Sequence, residues 1–520
     1  MAGLFASLFK RKRQASPRVP TDEVIAVHLF DDGSMTRSII MGMTLRFNDA
    51  LDCDMAHDAL ARLLEMGDWK KLGGRLRLTN KGKLEIHIPQ KFTPERPAVR
   101  YTHVSYDVDM DEHVLASRLP RATPGPSLQT GSTEYRTLIG PPDDVWHDVA
   151  VTIQDFIYTD RPQLGLHAVS FRDATLLTLS WPHTLFDAGG GQALFRNWSL
   201  VMAGKEDKVQ PLLGARDDIT DKITKPDTTV GLPKLAARKL GGAAMLLFIV
   251  RFMWALLFGP KMIRKLVFLP ASTVAALKEE ATEYLQNSHP RPSVPFVSTS
   301  DTLIAWSARM AVADLPPTST QPVTIMSIFE TRSRLPSIID PGAGVYVQNM
   351  VIPSWAFTDV SSLMANPLGC TAAHIRAALQ EQTTEDQVRA AYRFLKPAQI
   401  ARKPTLYGSP RAELIPVSNW TKANFFEVVD FSPALLSQGQ KKRFGDDRDK
   451  FPETAAGKPV FFAAVSFSRN PELRNVVNIL GKDAAGNYWL QMDCRPKVFE
   501  NIEKEFARMR AAKGGEGSAT

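Results

Sequence analysis

The sequence predicts an α/β (α+β) chain folded in two halves. Three observations carry that expectation. Strand-like and helical hydrophobic patterns alternate along the chain, which excludes an all-helical bundle and an all-β sandwich. The length of 520 residues requires more than one core, because single cores stop growing beyond roughly 250–300 residues. A charged, proline-containing, aperiodic stretch near residues 205–235 separates the two sets of elements as a crossover linker.

The elements follow in order. Val24–Phe30 reads as the first strand. Met55, Ala59, Leu60, Leu63 and Leu64 recur at helical spacing, and that helix ends near Gly67. Gly73-Gly74 then turns the chain into a strand at Leu76–Leu78. Prolines and glycines around 120–126 and at Gly140-Pro141-Pro142 mark loops. Leu164–Ser180 holds two strands split at Arg172-Asp173, and the second stops at Trp181-Pro182. After Asp187, the side chains of Leu194, Phe195, Trp198 and Val201 share one helical face, and Gly204 stops the helix.

The second half opens with a strand at Lys265–Leu269. Ser272 is expected to cap the next helix, which runs to about Leu285. Ser298-Thr299-Ser300 leads into an apolar helix at Asp301–Ala313, and Val323–Phe329 is a strand. Ile479–Met492 reads as a hairpin turning at Asp483–Asn487, followed by a terminal helix to Arg510. The expected organisation is a flexible basic tail (1–20), an N-terminal domain (21–204), a linker (205–264), a C-terminal domain (265–510) and a disordered tail (511–520).

Composition narrows the function. With 44% hydrophobic and 23% charged residues, the chain is neither disordered, nor collagen-like, nor a polytopic membrane protein. Its charge is +8, from 63 Lys+Arg against 55 Asp+Glu. That balance suits an anionic small molecule, and it is spread too widely to suggest nucleic acid. Cys53, Cys370 and Cys494 form no CxxC or zinc spacing, so a reducing, cytoplasmic setting is expected; a monomer is expected separately. In MAGLFASLFKRKR the charges follow the apolar stretch, the reverse of a secretory signal. Ala2 stands where myristoylation needs glycine.

Gly241–Gly259 approaches the ~20 residues a bilayer span needs. Arg251 at its centre would cost about 2.5–3.5 kcal/mol on insertion. The segment therefore reads as an amphipathic or buried linker helix, with peripheral membrane contact through 241–259 as the alternative.

The sharpest signal is Trp181-Pro182-His183-Thr184-Leu185-Phe186-Asp187-Ala188-Gly189-Gly190-Gly191. It sets a histidine on the loop between a buried strand and a helix. Imidazole accepts a proton near neutral pH, so His183 suits deprotonation of a hydroxyl or amine. Spacing alone favours a structural histidine. The other nine histidines have no comparable setting. There is no GxSxG elbow, P-loop, dinucleotide fingerprint or HExxH, and nothing supports a bound metal or cofactor.

Five further segments extend the pattern. They are Leu63-Leu64 through Trp69-Lys70-Lys71-Leu72-Gly73-Gly74-Arg75-Leu76; Phe268–Leu285; Ser298 to Trp306; Arg332-Ser333-Arg334 with Asn349 downstream; and Ser418-Asn419-Trp420 with Asp430-Phe431-Ser432. In this order, over roughly residues 25–500, the chain resembles the BAHD acyltransferases and looks like their fungal members. The signature of that family is HxxxD, here His183 and Asp187.

The resemblance implies two chloramphenicol-acetyltransferase-like domains with the active-site channel at their interface. It implies acyl-CoA, acetyl-CoA being the plainest, as co-substrate, and a small hydrophobic alcohol of secondary metabolism as acceptor. His183 matches the general base on the acceptor, which would attack the thioester directly, with no acyl-enzyme. Asp187 matches an orienting aspartate paired with arginine. Arg332 is the candidate partner and Arg334 the second choice, both expected on a strand. Ser298, Thr299 and Trp420 are candidates for the donor channel, as are Gly189 and Gly190 for close approach of the thioester. Asp430 and Ser432 fall where the family has DFGWG, but Ser432-Pro433-Ala434 departs from it. The alternatives are a non-catalytic ligand- or partner-binding member of the fold, or a condensation enzyme using a carrier-protein thioester. The latter usually has HHxxxDG, whereas Pro182 precedes His183 here.

Overall fold

The computed structural model describes residues 16–132, 134–140, 149–225, 230–290, 293–438, 454–468 and 473–516. The expectations for the first fifteen residues, for Pro141-Pro142 and for the last four residues lie outside this set. The architecture is the expected one, with helices and sheets mixed in two sheet-centred domains. Strands Phe461–Ser466, Ile40–Phe47, Thr175–Pro182, Leu164–Ser170 and Val99–Ser105 form a five-stranded sheet in that spatial order. The second domain is built on a seven-stranded sheet. Its order is Val351–Asp359, Pro322–Glu330, Glu413–Asn419, Val476–Lys482, Tyr488–Cys494, Ile263–Leu269 and Ser127–Thr130.

Each sheet borrows one strand from the other half of the sequence. Phe461–Ser466 pairs antiparallel with Ile40–Phe47, setting Phe461 opposite Arg46. Ser127–Thr130 pairs with Ile263–Leu269. The two halves are therefore tied by backbone ladders as well as by side-chain packing.

Helix Cys53–Leu63 begins at Asp52, whose side chain accepts from the Met55 N–H at 2.9 Å. Its Leu60 and Leu63 are fully buried with Leu194, Phe195 and Trp198 of helix Ala188–Met202. Burial of each such side chain contributes about 1.5–3 kcal/mol. The Trp198 indole N–H donates to Ala56 O at 2.8 Å, so the polar edge of this ring is satisfied inside the core. Helices Ala271–Ser288, Thr299–Ala311 and Leu368–Gln382 cover the seven-stranded sheet through a second core.

Several elements differ from expectation. The first strand stops at Ala26, because the N–H groups of Asp31 and Asp32 turn back onto His28 O. Pro270, rather than Ser272, precedes the helix that begins at Ala271. The free Ala271 N–H is met by the Asn487 side chain at 3.0 Å, so no serine cap is needed. Helix Thr299–Ala311 starts two residues early because Ser298 caps it. Arg332–Arg334 is a 3-10 turn after strand Pro322–Glu330, not part of the strand. The terminal helix extends to Glu516, into the stretch expected to be disordered. Gly242–Phe258 is helical with no buried residue.

Candidate active site

A cavity of about 2170 Å³ runs between the domains. Ile39, Met41 and His183 form part of one wall; Met326, Ile328 and Asn478 form part of the other. Among the described residues, His183 is the one histidine on this surface.

His183 is held by backbone on both sides. It follows the central strand Thr175–Pro182, and its N–H donates to Ile39 O at 2.9 Å. Leu185 N–H closes a turn onto Pro182 O. Trp181 stacks on Phe186, with ring centroids 4.7 Å apart, which clamps the loop from below. The carbonyl of His183 accepts from the Asn349 side-chain amide at 2.9 Å. Its Nδ1 is buried. Burial pushes the imidazole below its ordinary value, while its own backbone carbonyl, the Asp187 charge and Asn349 pull the other way. The ring is therefore neutral at neutral pH, the form a base requires.

Asp187 does two structural jobs. Its Oδ1 caps helix Ala188–Met202 by accepting from Gly190 N–H at 2.9 Å. The same carboxylate receives the Arg332 guanidinium at 2.8 and 3.2 Å. Its Oδ2 also accepts from Met350 N–H at 2.8 Å. Burial pulls Arg332 down, but Asp187, Glu330 and Tyr346 together hold it above the ordinary arginine range. Arg334 lines the cavity without joining this pair.

Gly189 and Gly190 both make close contacts within the protein. A Cβ on Gly190 would stand 2.0 Å from Val347 O, and one on Gly189 would stand 2.7 Å from Arg332 Nη1. Gly190 does not line the cavity, whereas Gly189 does. The small residues serve the contact between helix and domain partner. Asp430 and Ser432 are also absent from the cavity wall. Ser432 Oγ donates to Asp430 Oδ1 at 2.7 Å, and Asp430 N–H donates to Ser199 Oγ at 3.0 Å. These contacts brace a turn against helix Ala188–Met202. Local hydrogen bonding of this kind explains how Ser432-Pro433-Ala434 can stand in for a glycine turn.

Ser298, Thr299 and Trp420 do line the cavity. Ser298 forms a reciprocal capping box with Asp301, whose carboxylate accepts from both Ser298 N–H and Oγ at 2.7 Å. Arg376 completes that cluster at 2.8 Å from Asp301. Trp420 donates its indole N–H to Ser418 Oγ at 2.8 Å and sets its edge against Phe425.

Sequence reasoning missed one group. Asp31 is buried, and its Oδ1 accepts from the backbone N–H and the side-chain amide of Asn349, at 2.8 and 2.6 Å. Burial drives Asp31 up to about 7, and the neighbouring buried Lys71 down to about 8. The sequence traces of this cluster were Asn349 and Lys71, each within a segment notable for other reasons, and no local periodicity marks Asp31. Among the described residues, no cluster of His, Cys, Asp or Glu could hold a metal ion.

Fold and site together define an acyl-CoA-dependent acyltransferase of the two-domain kind. The chain belongs to the Transferase family, the BAHD-type acyltransferases, whose model matches residues 141–446. It is 36% identical to O-acetyltransferase PaAT-2 of Phomopsis amygdali over 94% of this chain and 99% of that protein. It is 34% identical to a Penicillium decumbens protein named transcriptional regulator calD, over 97% of this chain and 99% of the other. Its fold matches the crystal structure of F. sporotrichioides TRI101 complexed with coenzyme A and T-2, with a TM-score of 0.63 at 16% identity. That match covers 94% of this chain and 98% of TRI101.

Proposed function

We propose that the protein transfers an acyl group, acetyl being the plainest, from acyl-CoA to a hydroxyl of a small hydrophobic secondary metabolite. The observation that carries this reading is His183, held neutral by burial, on the wall of a cavity bounded by both domains. His183 takes the proton of the acceptor hydroxyl as its oxygen attacks the thioester carbonyl carbon. The tetrahedral intermediate collapses with cleavage of the C–S bond, and the leaving thiolate takes the proton back from His183. No acyl-enzyme is needed. Asp187 and Arg332 orient the loop, and Asn349 holds the His183 carbonyl.

Basic groups on the wall, including Arg376, Lys403, Lys422 and Arg474, suit an anionic donor such as CoA. Apolar wall residues such as Met326 and Ile328 suit a hydrophobic acceptor. A monomer in the cytoplasm, in peripheral contact with membrane, is the setting this reading favours. The domain limits 21–204 and 265–510 belong to the same proposal.

The test is calorimetric titration with CoA and acetyl-CoA, followed by CoA release in a screen of hydrophobic alcohols. Micromolar donor binding retained in His183→Ala, with turnover lost, is the expected result. The non-catalytic reading has the name of the calD relative in its favour. It requires the absence of turnover in wild type with every alcohol tested.

A further inference from the structure

Helix Gly242–Phe258 is apolar except for Arg251, and its residues divide into two faces. Met245, Phe248, Ile249, Phe252 and Ala255 line the cavity. Leu246, Val250, Trp254 and Leu257 recur at the same helical spacing on the other side, and none of them lines it. They are 63%, 56%, 66% and 68% exposed. A continuous apolar strip of this kind is rare on a soluble monomer and marks a contact surface.

Charge says what that contact is. From residue 228 to residue 278 the chain has no Asp or Glu and eight Lys or Arg, among them Lys239, Arg251, Lys261 and Lys265. Basic residues flank the apolar helix at both ends. That pattern complements an anionic lipid surface, where each Lys or Arg contributes about 1 kcal/mol. Length says how the helix sits. Seventeen residues extend about 26 Å, short of the roughly 30 Å hydrocarbon core. Among the described residues, no helix is long and apolar enough to cross a membrane. Trp254 on the exposed face suits the headgroup boundary, and the long Arg251 side chain can keep its charge in water.

We propose that this face docks on an anionic phospholipid bilayer, with the helix lying flat at the headgroup–acyl boundary. The wall formed by the opposite face then opens the cavity toward the lipid. Resting on the acyl-transfer reading, a hydrophobic acceptor enters the cavity from the bilayer along this helix instead of through water.

The experiment is flotation of the full-length protein with phosphatidylcholine vesicles, with and without phosphatidylserine. Wild type is compared with the triple variant Leu246→Glu, Val250→Glu, Leu257→Glu, and light scattering reports the oligomeric state of each. Wild type should float with the phosphatidylserine vesicles, and the triple variant should partition at least about tenfold less. Bromine placed shallowly in the acyl chains should quench wild type more than Trp254→Phe. With an alcohol carried in the vesicles, the variant should show a raised KM. With a short water-soluble alcohol, its kcat should match wild type.

Equal flotation of both proteins overturns the proposal. So does a wild-type dimer that stays off vesicles and becomes monomeric in the variant, because a second copy then covers the face. If vesicle binding behaves as expected but no alcohol is acylated, the acyl-transfer reading fails and the docking surface stands.

Discussion

Asp187 and Arg332 form a two-pronged ion pair across the domains, at 2.8 and 3.2 Å, four residues after the histidine that faces the cavity. The carboxylate also accepts from Gly190 and Met350 N–H groups. No lone pair is left for a substrate, so the motif pairs a chemical residue with an architectural one. Asp187→Ala should take the nearer of two carboxylates from the buried Arg332 guanidinium and strand two backbone donors, costing about 3–5 kcal/mol. Urea unfolding reads this directly. Arg332→Lys keeps the charge but loses the fork, and should cost less. An Asp187→Ala protein as stable as wild type would remove the structural role assigned to the pair.

His183 predicts a different signature. His183→Ala should lower kcat by about 10²–10⁴-fold with unfolding unchanged. The pH profile has a definite sign. Burial holds the imidazole below its usual 6.5, and the base must be neutral. Activity should therefore be lost as pH falls through a value below 6.5, and stay flat above it. An acid limb centred above 6.5 in kcat/KM, which reports the free enzyme, would contradict the burial argument.

Asp31 acts at one remove, through Asn349. Its loss frees the amide that holds the His183 carbonyl. Misplacement of a reacting group by about 1 Å can cost about 10²-fold, so Asp31→Ala should lower kcat on that scale with KM for acetyl-CoA little changed. Stability supplies a second readout. Asp31, raised from 3.8 to about 7, adds stability that is full below 3.8 and lost as pH rises through 7. His28 and His167, both lowered from 6.5 to about 4 by burial, act oppositely. Their contribution is full above 6.5 and lost as pH falls toward 4. The two trends offset each other in wild type. Asp31→Asn removes one of them, so its stability should fall more steeply than that of wild type between pH 6.5 and 4.

What the sequence displayed was whatever depends on near neighbours. The apolar run before Trp181 and the helical face of Leu194, Phe195 and Trp198 gave two core elements, and the resemblance pointed Asp187 toward Arg332. What it concealed depends on distance. Phe461–Ser466 pairs with a strand more than 400 residues away in sequence, and no local pattern encodes that register. Asp31 reaches Asn349 across 318 residues. Ser272 looked like a cap because serine is a good one, but the Asn487 side chain from a distant hairpin had already satisfied the helix start. Asp430 and Ser432 sat in a functional-looking motif, yet hydrogen-bonding turned them onto a helix and away from the cavity.

The triple glycine offers the sharpest contrast between neighbouring positions. A methyl group on Gly190 meets the Val347 carbonyl at 2.0 Å and the Phe186 Cβ at 2.6 Å. Both belong to fixed backbone or its first side-chain atom, and neither can swing away. A methyl group on Gly191 meets only ring carbons of Phe186 and Phe425 at 3.6 Å or more, ordinary contact. Both positions lie in the first turn of helix Ala188–Met202. Gly190→Ala should therefore push the helix off the backbone at Val347, costing about 1–3 kcal/mol or more, and disturb the Asp187 cap with it. Gly191→Ala should gain up to about 1 kcal/mol from helix propensity. Thermal unfolding of the two variants side by side gives the answer. Equal destabilisation would mean that the triplet is required for chain flexibility, and opposite signs would mean that it is required for the single close approach at Gly190.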